Sequence, residues 1–145
     1  MREYLLAAKI VLLAVALAVA GWAFFRWRQS KNPELILVTG YCNCGKCCGW
    51  EGSPEKAVYN YGKLKGKPKK IGVTASGTIA HKGTVAADPS VFPFGTRLEI
   101  PGYGTGTVED IGGAIKGRHI DIWFTTHEEA RRWGAQWLKL GVYRK

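Results

Sequence analysis

Aspartate is scarce in this chain of 145 residues, which contains only Asp88, Asp110 and Asp121. Acidic residues number 11 against 21 lysines and arginines, so the formal net charge at pH 7 is +10. A basic surface favours polyanions such as nucleic acid, anionic lipid or an anionic cell-wall polymer. The main lysine cluster, KLKGKPKK at 63–70, has no aromatic residue among its lysines, so a base-stacking platform is not indicated and no nucleic-acid partner is expected. Such a cluster is also typical of a solvated loop.

Other absences exclude several classes of enzyme. Ser76 and Ser90 lack the G-x-S-x-G setting of a serine hydrolase. A cysteine nucleophile is disfavoured because all four cysteines are crowded into CNCGKCC at 42–48. The chain has no internal repeat.

These cysteines, Cys42, Cys44, Cys47 and Cys48, are candidates for disulfide bonds if the domain lies outside the cytoplasm. Pairing between Cys42 or Cys44 and Cys47 or Cys48 is favoured over a bond between adjacent residues. Zinc is the rival interpretation, since C-x-x-C has zinc-ligand spacing. A second ligand pair from a distant hairpin is missing, however, so the primary expectation includes no metal and no cofactor. Free thiols remain the third alternative.

The long apolar run occurs at the N-terminus, as IVLLAVALAVAGWAFF at 10–25. About 20 helical residues span the hydrocarbon core of a bilayer, so residues 1–31 are predicted to form a single-pass transmembrane anchor. A cleaved signal peptide is the alternative, because AVAG at 18–21 resembles a cleavage site. The rest of the chain, 32–145, is predicted to form one domain with a Cys/Lys-rich loop at 42–70.

Short strand patterns separated by turn residues follow one another along this domain. Thr126 and Glu129 have the spacing of a capping box at the start of one helix, with Ala130, Trp133 and Trp137 on one face. Six short strands and one helix favour a small β-barrel over a βαβ fold. The predicted strands are 35–41, 83–88, 96–100, 105–110, 119–124 and 138–143.

The segment HIDIWF at 119–124 alternates like a half-buried strand. Ile120 and Ile122 share the core face, whereas Asp121 and Trp123 share the other. A carboxyl beside an aromatic ring suits the binding of a sugar. The glycine-rich loop before this strand is expected to fold back and bring Asp110 near Asp121. Proximity of like charges and burial would then raise one carboxyl pKa, as a general acid requires. The alternative is that these aspartates are turn residues only.

Three segments resemble the three-aspartate, or 3D, domain family, which is related to the C-terminal region of membrane-bound lytic transglycosylase A. They are GVTASGT at 72–78, VAADPSVFPFGTRLEIPGYG at 85–104 and VEDIGGAIKGRHIDIWF at 108–124. The opening YCNCGKCCGW resembles a cysteine-bearing subset of the family. The resemblance implies a double-psi β-barrel that cleaves the β-1,4 bond between N-acetylmuramic acid and N-acetylglucosamine in peptidoglycan, leaving a 1,6-anhydro sugar.

The resemblance also implies roles for particular residues. Asp121 is expected to act as the acid and then the base, while Asp110 and Asp88 hold and tune the site. Five further residues are expected to contact the glycan: Thr74, Gly113, Ala114, Lys116 and Trp123. Because the chain lacks the second domain of the larger enzyme, a homodimer or a partner is a candidate for the far wall of the groove. A non-catalytic glycan-binding module is the alternative function, and the domain is expected outside the cytoplasmic membrane, or secreted if the N-terminus is cleaved.

Overall fold

The computed structural model describes residues 11–21 and 33–144. Residues 11–21 form a helix, α1, and the chain divides into two units, Met1–Asn32 and Pro33–Lys145. Within the described ranges, no helix is both long enough and apolar enough to cross a membrane. The predicted anchor at 1–31 lies largely outside the described residues and receives no support from them.

Short strands dominate the second unit, in agreement with the prediction of a mainly β domain. The strands are β1 (Glu34–Tyr41), β2 (Trp50–Glu51), β3 (Val58–Tyr59), β4 (Thr84–Ala87), β5 (Arg97–Ile100), β6 (Gly104–Asp110), β7 (His119–Trp123) and β8 (Gln136–Tyr143). Two further helices are α2 (Gly45–Cys48) and α3 (His127–Trp133), and 3₁₀ turns occupy Pro54–Lys56 and Gly62–Leu64.

Six of these strands close into a barrel with the order β1-β7-β4-β6-β5-β8. The pairs β1–β7 and β4–β6 are parallel, and the other four pairs are antiparallel. The prediction of a six-stranded barrel is confirmed, whereas the double-psi connectivity stays a prediction. Closure matters because it leaves the six strands without a free edge.

The barrel interior is filled by the apolar residues of alternating strand positions. Ile120 and Ile122 are fully buried, as the alternation of β7 predicts. The core cluster consists of Ile36, Val38, Val85, Ala87, Phe92, Leu98, Ile100, Val108, Ile120, Ile122, Leu140 and Val142. Alternate residues of the same strands therefore point out of the barrel, where a site can be built.

Residues 42–70 are not the long loop that was predicted. They contain α2, both 3₁₀ turns and a separate two-stranded sheet in which Trp50 pairs with Tyr59 and Glu51 with Val58. The barrel domain therefore has two helices rather than one. A four-residue helix and two-residue strands are too short to show a periodic apolar pattern, so sequence reasoning missed them.

Helix α3 begins with the predicted capping box. The Thr126 hydroxyl accepts a hydrogen bond from the Glu129 N–H at 3.2 Å, and the Glu129 carboxylate accepts one from the Thr126 N–H at 3.0 Å. The helix ends at Trp133 and is followed by Gly134, whose φ is 69°. Trp137 therefore belongs to β8 and not to the helix face predicted for it.

Gly40 allows α3 to lie close to β1. A Cβ at this position would approach the Phe124 ring to 2.9 Å and the Ala130 carbonyl oxygen to 3.1 Å. Such contacts are shorter than normal packing distances, so the close approach of helix and strand requires glycine here. The approach brings the first residue of α3, His127, beside the residues that follow β1.

The capping box predicts a measurable stability difference between two adjacent threonines. Replacing Thr126 with alanine removes the cap acceptor and should lower the free energy of unfolding by about 1 kcal/mol. Thr125→Ala is the matched control, because Thr125 is exposed and precedes the cap, and it should change stability by less than about 0.5 kcal/mol. Urea denaturation of both variants measures the difference, and equal stability would show that the cap contributes nothing.

Candidate active site

Asp110 and Asp121 are brought together by strand pairing. Strand β4 lies between β6 and β7, and its residue Ala86 pairs with Asp121 on one side and with Asp110 on the other. Directly paired residues have their side chains on the same face of a sheet. The two carboxyls therefore flank a methyl group on the outer face of the barrel, and both line one cavity.

A register shift makes this arrangement possible. Val85 pairs with Val108 in the core, but the next residue, Ala86, pairs with Asp110, so Glu109 is an extra residue in β6. In a regular strand Asp110 would lie on the same face as Val108 and point into the core. The bulge turns it outward. The approach of the two aspartates was predicted correctly, but the glycine loop is not its cause.

Asp121 has the environment of a carboxyl that can hold a proton. Burial raises its pKa from the ordinary value of 3.8 to about 6, and the negative charge of Asp110 acts in the same direction. A single hydrogen bond opposes these effects: the Thr39 hydroxyl donates to Asp121 Oδ1 at 2.9 Å. Thr39 is the register partner of Asp121 in the parallel pair β1–β7.

Asp110 has a different environment, with three donors around its carboxylate. The N–H groups of Ala75 and Ile111 each donate to Oδ1 at 2.9 Å. The Tyr41 hydroxyl donates to Oδ2 at 3.2 Å, and burial raises the pKa of that tyrosine. Three donors fix the orientation of the carboxylate and occupy acceptor positions on both of its oxygens.

The donors Thr39 and Tyr41 were missed by sequence reasoning, as was His119, whose Nε2 lies 2.9 Å from Thr39 Oγ1. Burial lowers the pKa of His119. The alternation of β1 places Thr39 and Tyr41 on the face opposite Ile36 and Val38. This orientation could have been predicted from the sequence of the strand. The sequence did not reveal which strand would lie beside that face.

The cavity next to the two carboxyls has a volume of about 520 Å³, which is within the range of small-ligand sites. Thr74, Gly113 and Ala114, three of the five residues predicted to contact glycan, line it. Thr74 is nearly fully buried, and its hydroxyl lies 2.8 Å from that of Thr78. This side of the cavity therefore carries a small polar network.

A second side of the cavity comes from residues 50–70 and was not predicted. Three aromatic residues of this segment line the cavity: Trp50, Tyr59 and Tyr61. Three members of the lysine cluster line it as well, Lys63, Lys69 and Lys70. The Lys69 ammonium lies 4.3 Å from the centre of the Tyr59 ring, a cation–π distance. The cluster therefore contributes cations to the wall that faces the carboxyls.

Trp123 does not line this cavity, although it was predicted to contact glycan there. Its indole N–H donates to Asn43 Oδ1 at 2.9 Å. The ring borders a separate, smaller cavity of about 180 Å³ together with Tyr103 and Phe124. Trp123 therefore holds the segment after β1 in place.

Asp88 and Lys116 also lie away from the cavity lining. The Asp88 carboxylate accepts hydrogen bonds from the Gly117 N–H at 3.0 Å and from the hydroxyl and N–H of Ser90 at 2.7 and 3.0 Å. These bonds, together with the charge of Lys116, lower its pKa to about 2. Gly117 has a φ of 61°, the left-handed conformation that favours glycine. Asp88 thus stabilises the conformation of the loop that precedes β7.

The four cysteines are free thiols in the structure, and the predicted disulfide bonds are not formed. The Sγ atoms of Cys42 and Cys47 lie 3.7 Å apart, whereas a disulfide bond requires about 2.05 Å. The Cys48 thiol instead donates to the Cys42 carbonyl at 3.1 Å. Cys42, Cys44 and Cys47 form one group with His127, and this group could hold a metal ion.

Comparison with known proteins finds a family match for part of this chain. Residues 83–143 match the family described as the 3D domain. The chain therefore contains a 3D domain at residues 83–143, in agreement with the resemblance of its three aspartate motifs.

Two curated relatives come from Bacillus subtilis (strain 168). The cell wall-binding protein YocH is 39% identical over 75 residues, which cover 49% of this chain and 26% of that protein. The putative cell wall shaping protein YabE is 40% identical over 114 residues, covering 79% of this chain and 24% of that protein. The chain thus spans about a quarter of the length of either relative.

Solved structures of MltA from E. coli also match part of the chain. One crystal structure has a TM-score of 0.40 and 26% identity, covering 55% of this chain and 30% of MltA. A structure of MltA with bound chitohexaose has a TM-score of 0.40 and 27% identity, covering 50% of this chain and 27% of MltA.

The raised pKa of Asp121 predicts a pH-dependent stability. Between the unfolded value of 3.8 and the folded value of about 6, the folded state binds more protons, so the free energy of unfolding falls as pH rises through this window. The loss should amount to at most about 3 kcal/mol. Asp121→Asn should remove this dependence, so that its stability relative to the parent protein increases from about pH 4 to about pH 7.5.

Asp88→Asn is the control for this measurement. Because the pKa of Asp88 is lowered to about 2, its contribution has the opposite sign and changes mainly below about pH 4. Denaturant unfolding of the three proteins at both pH values tests the assignment. If the free energy of unfolding of the parent protein and of Asp121→Asn changes with pH in the same way, Asp121 has an ordinary pKa.

Proposed function

We propose that this protein is a lytic transglycosylase that cleaves the β-1,4 bond between N-acetylmuramic acid and N-acetylglucosamine in peptidoglycan. The observation that carries the proposal is the Asp121 carboxyl, which lines a cavity of about 520 Å³ and has a pKa raised to about 6. A general acid works best when its pKa is near the operating pH. The match of residues 83–143 to the 3D domain family and the names of the cell-wall relatives support this choice of substrate.

In the proposed reaction Asp121 donates one proton in the first step and accepts another in the second. It first protonates the glycosidic oxygen, and the bond between that oxygen and C1 breaks. The C6 hydroxyl of the same N-acetylmuramic acid then attacks C1 and gives its proton to the Asp121 carboxylate. The product is a 1,6-anhydro sugar, no water is consumed, and the enzyme returns to its starting state. A second carboxyl as nucleophile or water activator, as in most glycosidases, is not needed.

The surrounding residues have supporting roles in this proposal. Asp110 is held in place by its three donors, and its charge near Asp121 favours the protonated acid before cleavage. Thr39 orients the Asp121 carboxyl through its hydrogen bond. Asp88 holds the loop before β7 through the Gly117 N–H. Of the three aspartates, only Asp121 is proposed to exchange a proton with substrate.

The wall formed by residues 50–70 supports a saccharide polymer as ligand. Aromatic rings such as Trp50 and Tyr61 can cover the apolar faces of sugar rings, and Lys63 and Lys70 complement anionic groups on the polymer. A second copy of the chain, or a partner, is proposed to supply the far wall of the groove. Sedimentation of the full chain with and without glycan strands tests this, and a monomer that is fully active would contradict it.

A glycan-binding module without turnover is the second candidate. It is favoured by the name of YocH, a cell wall-binding protein. The two candidates share the cavity but differ in product, because a module retains glycan strands and releases no anhydro sugar. Product analysis therefore separates them.

We further propose that the N-terminal segment anchors the chain in the membrane with the barrel domain outside the cytoplasm. The apolar run at 10–25 and a substrate located in the cell wall support this proposal. Protease added to intact cells should digest the domain, and protection of the domain until the cells are lysed would contradict the orientation.

The catalytic assignment predicts a large and selective loss of turnover. Asp121→Asn keeps the size of the side chain but cannot deliver a proton, so the rate of anhydro-muropeptide release should fall by about 10²–10⁴-fold. Asp110→Asn should cost less, because it changes only the electrostatic environment of Asp121. Mass spectrometry of muropeptides released from peptidoglycan by the full chain measures both effects.

Glu99→Gln is the matched control, since Glu99 lies on β5 and does not line the cavity, and it should leave the rate unchanged. An Asp121→Asn variant that still sediments with peptidoglycan retains binding and separates chemistry from affinity. If the parent protein binds peptidoglycan and releases no anhydro product, the binding-module candidate replaces the enzyme. If Asp121→Asn is as fast as the parent, Asp121 is not the acid.

A further inference from the structure

Three thiols and one imidazole meet at a point outside the carboxyl pair. Cys42 follows the end of β1, Cys44 directly precedes α2, Cys47 lies within α2, and His127 is the first residue of α3. The ligand atoms of these four residues all lie within 4.8 Å of one another. His127 is 83 positions from Cys44 in the sequence, so local chain geometry alone does not produce the group.

The distances between these ligand atoms match the edges of a tetrahedral zinc site. Zn–S bonds of about 2.3 Å place two sulfur ligands about 3.8 Å apart, and a sulfur and a nitrogen ligand about 3.6 Å apart. The Sγ atoms of Cys42 and Cys47 are 3.7 Å apart. The distances from His127 Nδ1 to the Sγ atoms of Cys44 and Cys47 are 3.5 and 3.3 Å.

Hydrogen bonds within this group cannot give both thiols that approach His127 an acceptor. Both Cys44 and Cys47 approach the same nitrogen of His127, and a neutral imidazole nitrogen offers one acceptor lone pair. Cys44 is the residue before α2, yet its side chain makes no capping hydrogen bond with that helix. Its sulfur is directed to the group with His127 instead. A metal ion would engage all four ligand atoms at once.

We propose that Cys42, Cys44, Cys47 and His127 form a structural zinc site. Three cysteines and one histidine are a common ligand set for closed, four-coordinate zinc. Thiolate and imidazole ligands in tetrahedral geometry select zinc over the oxygen-preferring cations. The sequence analysis found no distant ligands to complete the C-x-x-C motif, and His127 now provides one.

The site would tie the segment 42–48 to α3 and to the end of β1. That segment adjoins the cavity, because Cys47 and Cys48 line it and Asn43 binds the Trp123 indole. Zinc would therefore rigidify one wall of the cavity without touching either carboxyl. The inference does not depend on the proposed enzymatic activity, since it concerns only the ligand group.

Cys48 offers a matched control inside the same heptapeptide. Its thiol donates to the Cys42 carbonyl and is not a member of the ligand group. Cys48→Ser should therefore retain zinc, whereas Cys44→Ser should lose it. His127→Ala should also lose zinc, and His127→Cys should restore binding because a fourth thiolate can complete a tetrahedral site.

The experiment measures zinc and thiols in the purified full chain. Elemental analysis should find one zinc per chain in the parent protein and in Cys48→Ser, and substantially none in Cys44→Ser. After denaturation with a chelator, the parent protein should titrate as four thiols. Cobalt substitution should produce the visible absorption of tetrahedral thiolate coordination, and zinc chelation should lower the melting temperature of the parent protein but not that of Cys44→Ser.

Three outcomes would overturn the proposal. One is a parent chain with fewer than four titratable thiols and no zinc, which indicates a disulfide bond. Another is a chain with four thiols that binds neither zinc nor cobalt when one equivalent is added. The last is equal zinc content in Cys44→Ser and Cys48→Ser. The first two outcomes are measured on the parent protein, so they can contradict the proposal even if a variant fails to fold.

Discussion

The pairing of one small residue with two aspartates is the constraint on which the candidate site depends. Ala86 lies between Asp110 and Asp121 in the barrel order β7-β4-β6. Its methyl group leaves room for both carboxyls on the outer face, while Val85 and Ala87 remain in the core. The bulge at Glu109 is equally necessary, because only a shift of one residue brings Asp110 to that face.

The two carboxyls differ in their roles because their surroundings differ. Asp121 is half-buried and has one hydroxyl donor, so its neutral form is favoured. Asp110 is surrounded by two backbone N–H groups and the Tyr41 hydroxyl. Its charge then raises the pKa of its neighbour. A pair of carboxyls with divergent environments is the pattern by which acid and base roles are separated in enzymes.

The segment from Cys42 to Lys70 connects the barrel to the rest of the site. Its first part lies beside α3 through the thiols and His127, and Gly40 permits that close approach. Its second part adds Trp50, Tyr59 and Tyr61 to the cavity wall. The barrel alone would offer carboxyls on an open surface. The added segment turns that surface into a cavity with aromatic and basic lining.

Local and periodic features were determined by the sequence itself. The alternation of β7 assigned Ile120 and Ile122 to the core and Asp121 to the outer face, and the spacing of Thr126 and Glu129 located the start of α3. These features depend on neighbours within a few positions, where the side-chain period and hydrogen-bond geometry leave few choices. The tertiary structure decided what depends on strand order: Thr39 beside Asp121, Asp110 turned outward by a bulge, and His127 beside three cysteines. Such contacts join residues about 80 positions apart or shift a register by one residue, and no local pattern encodes either.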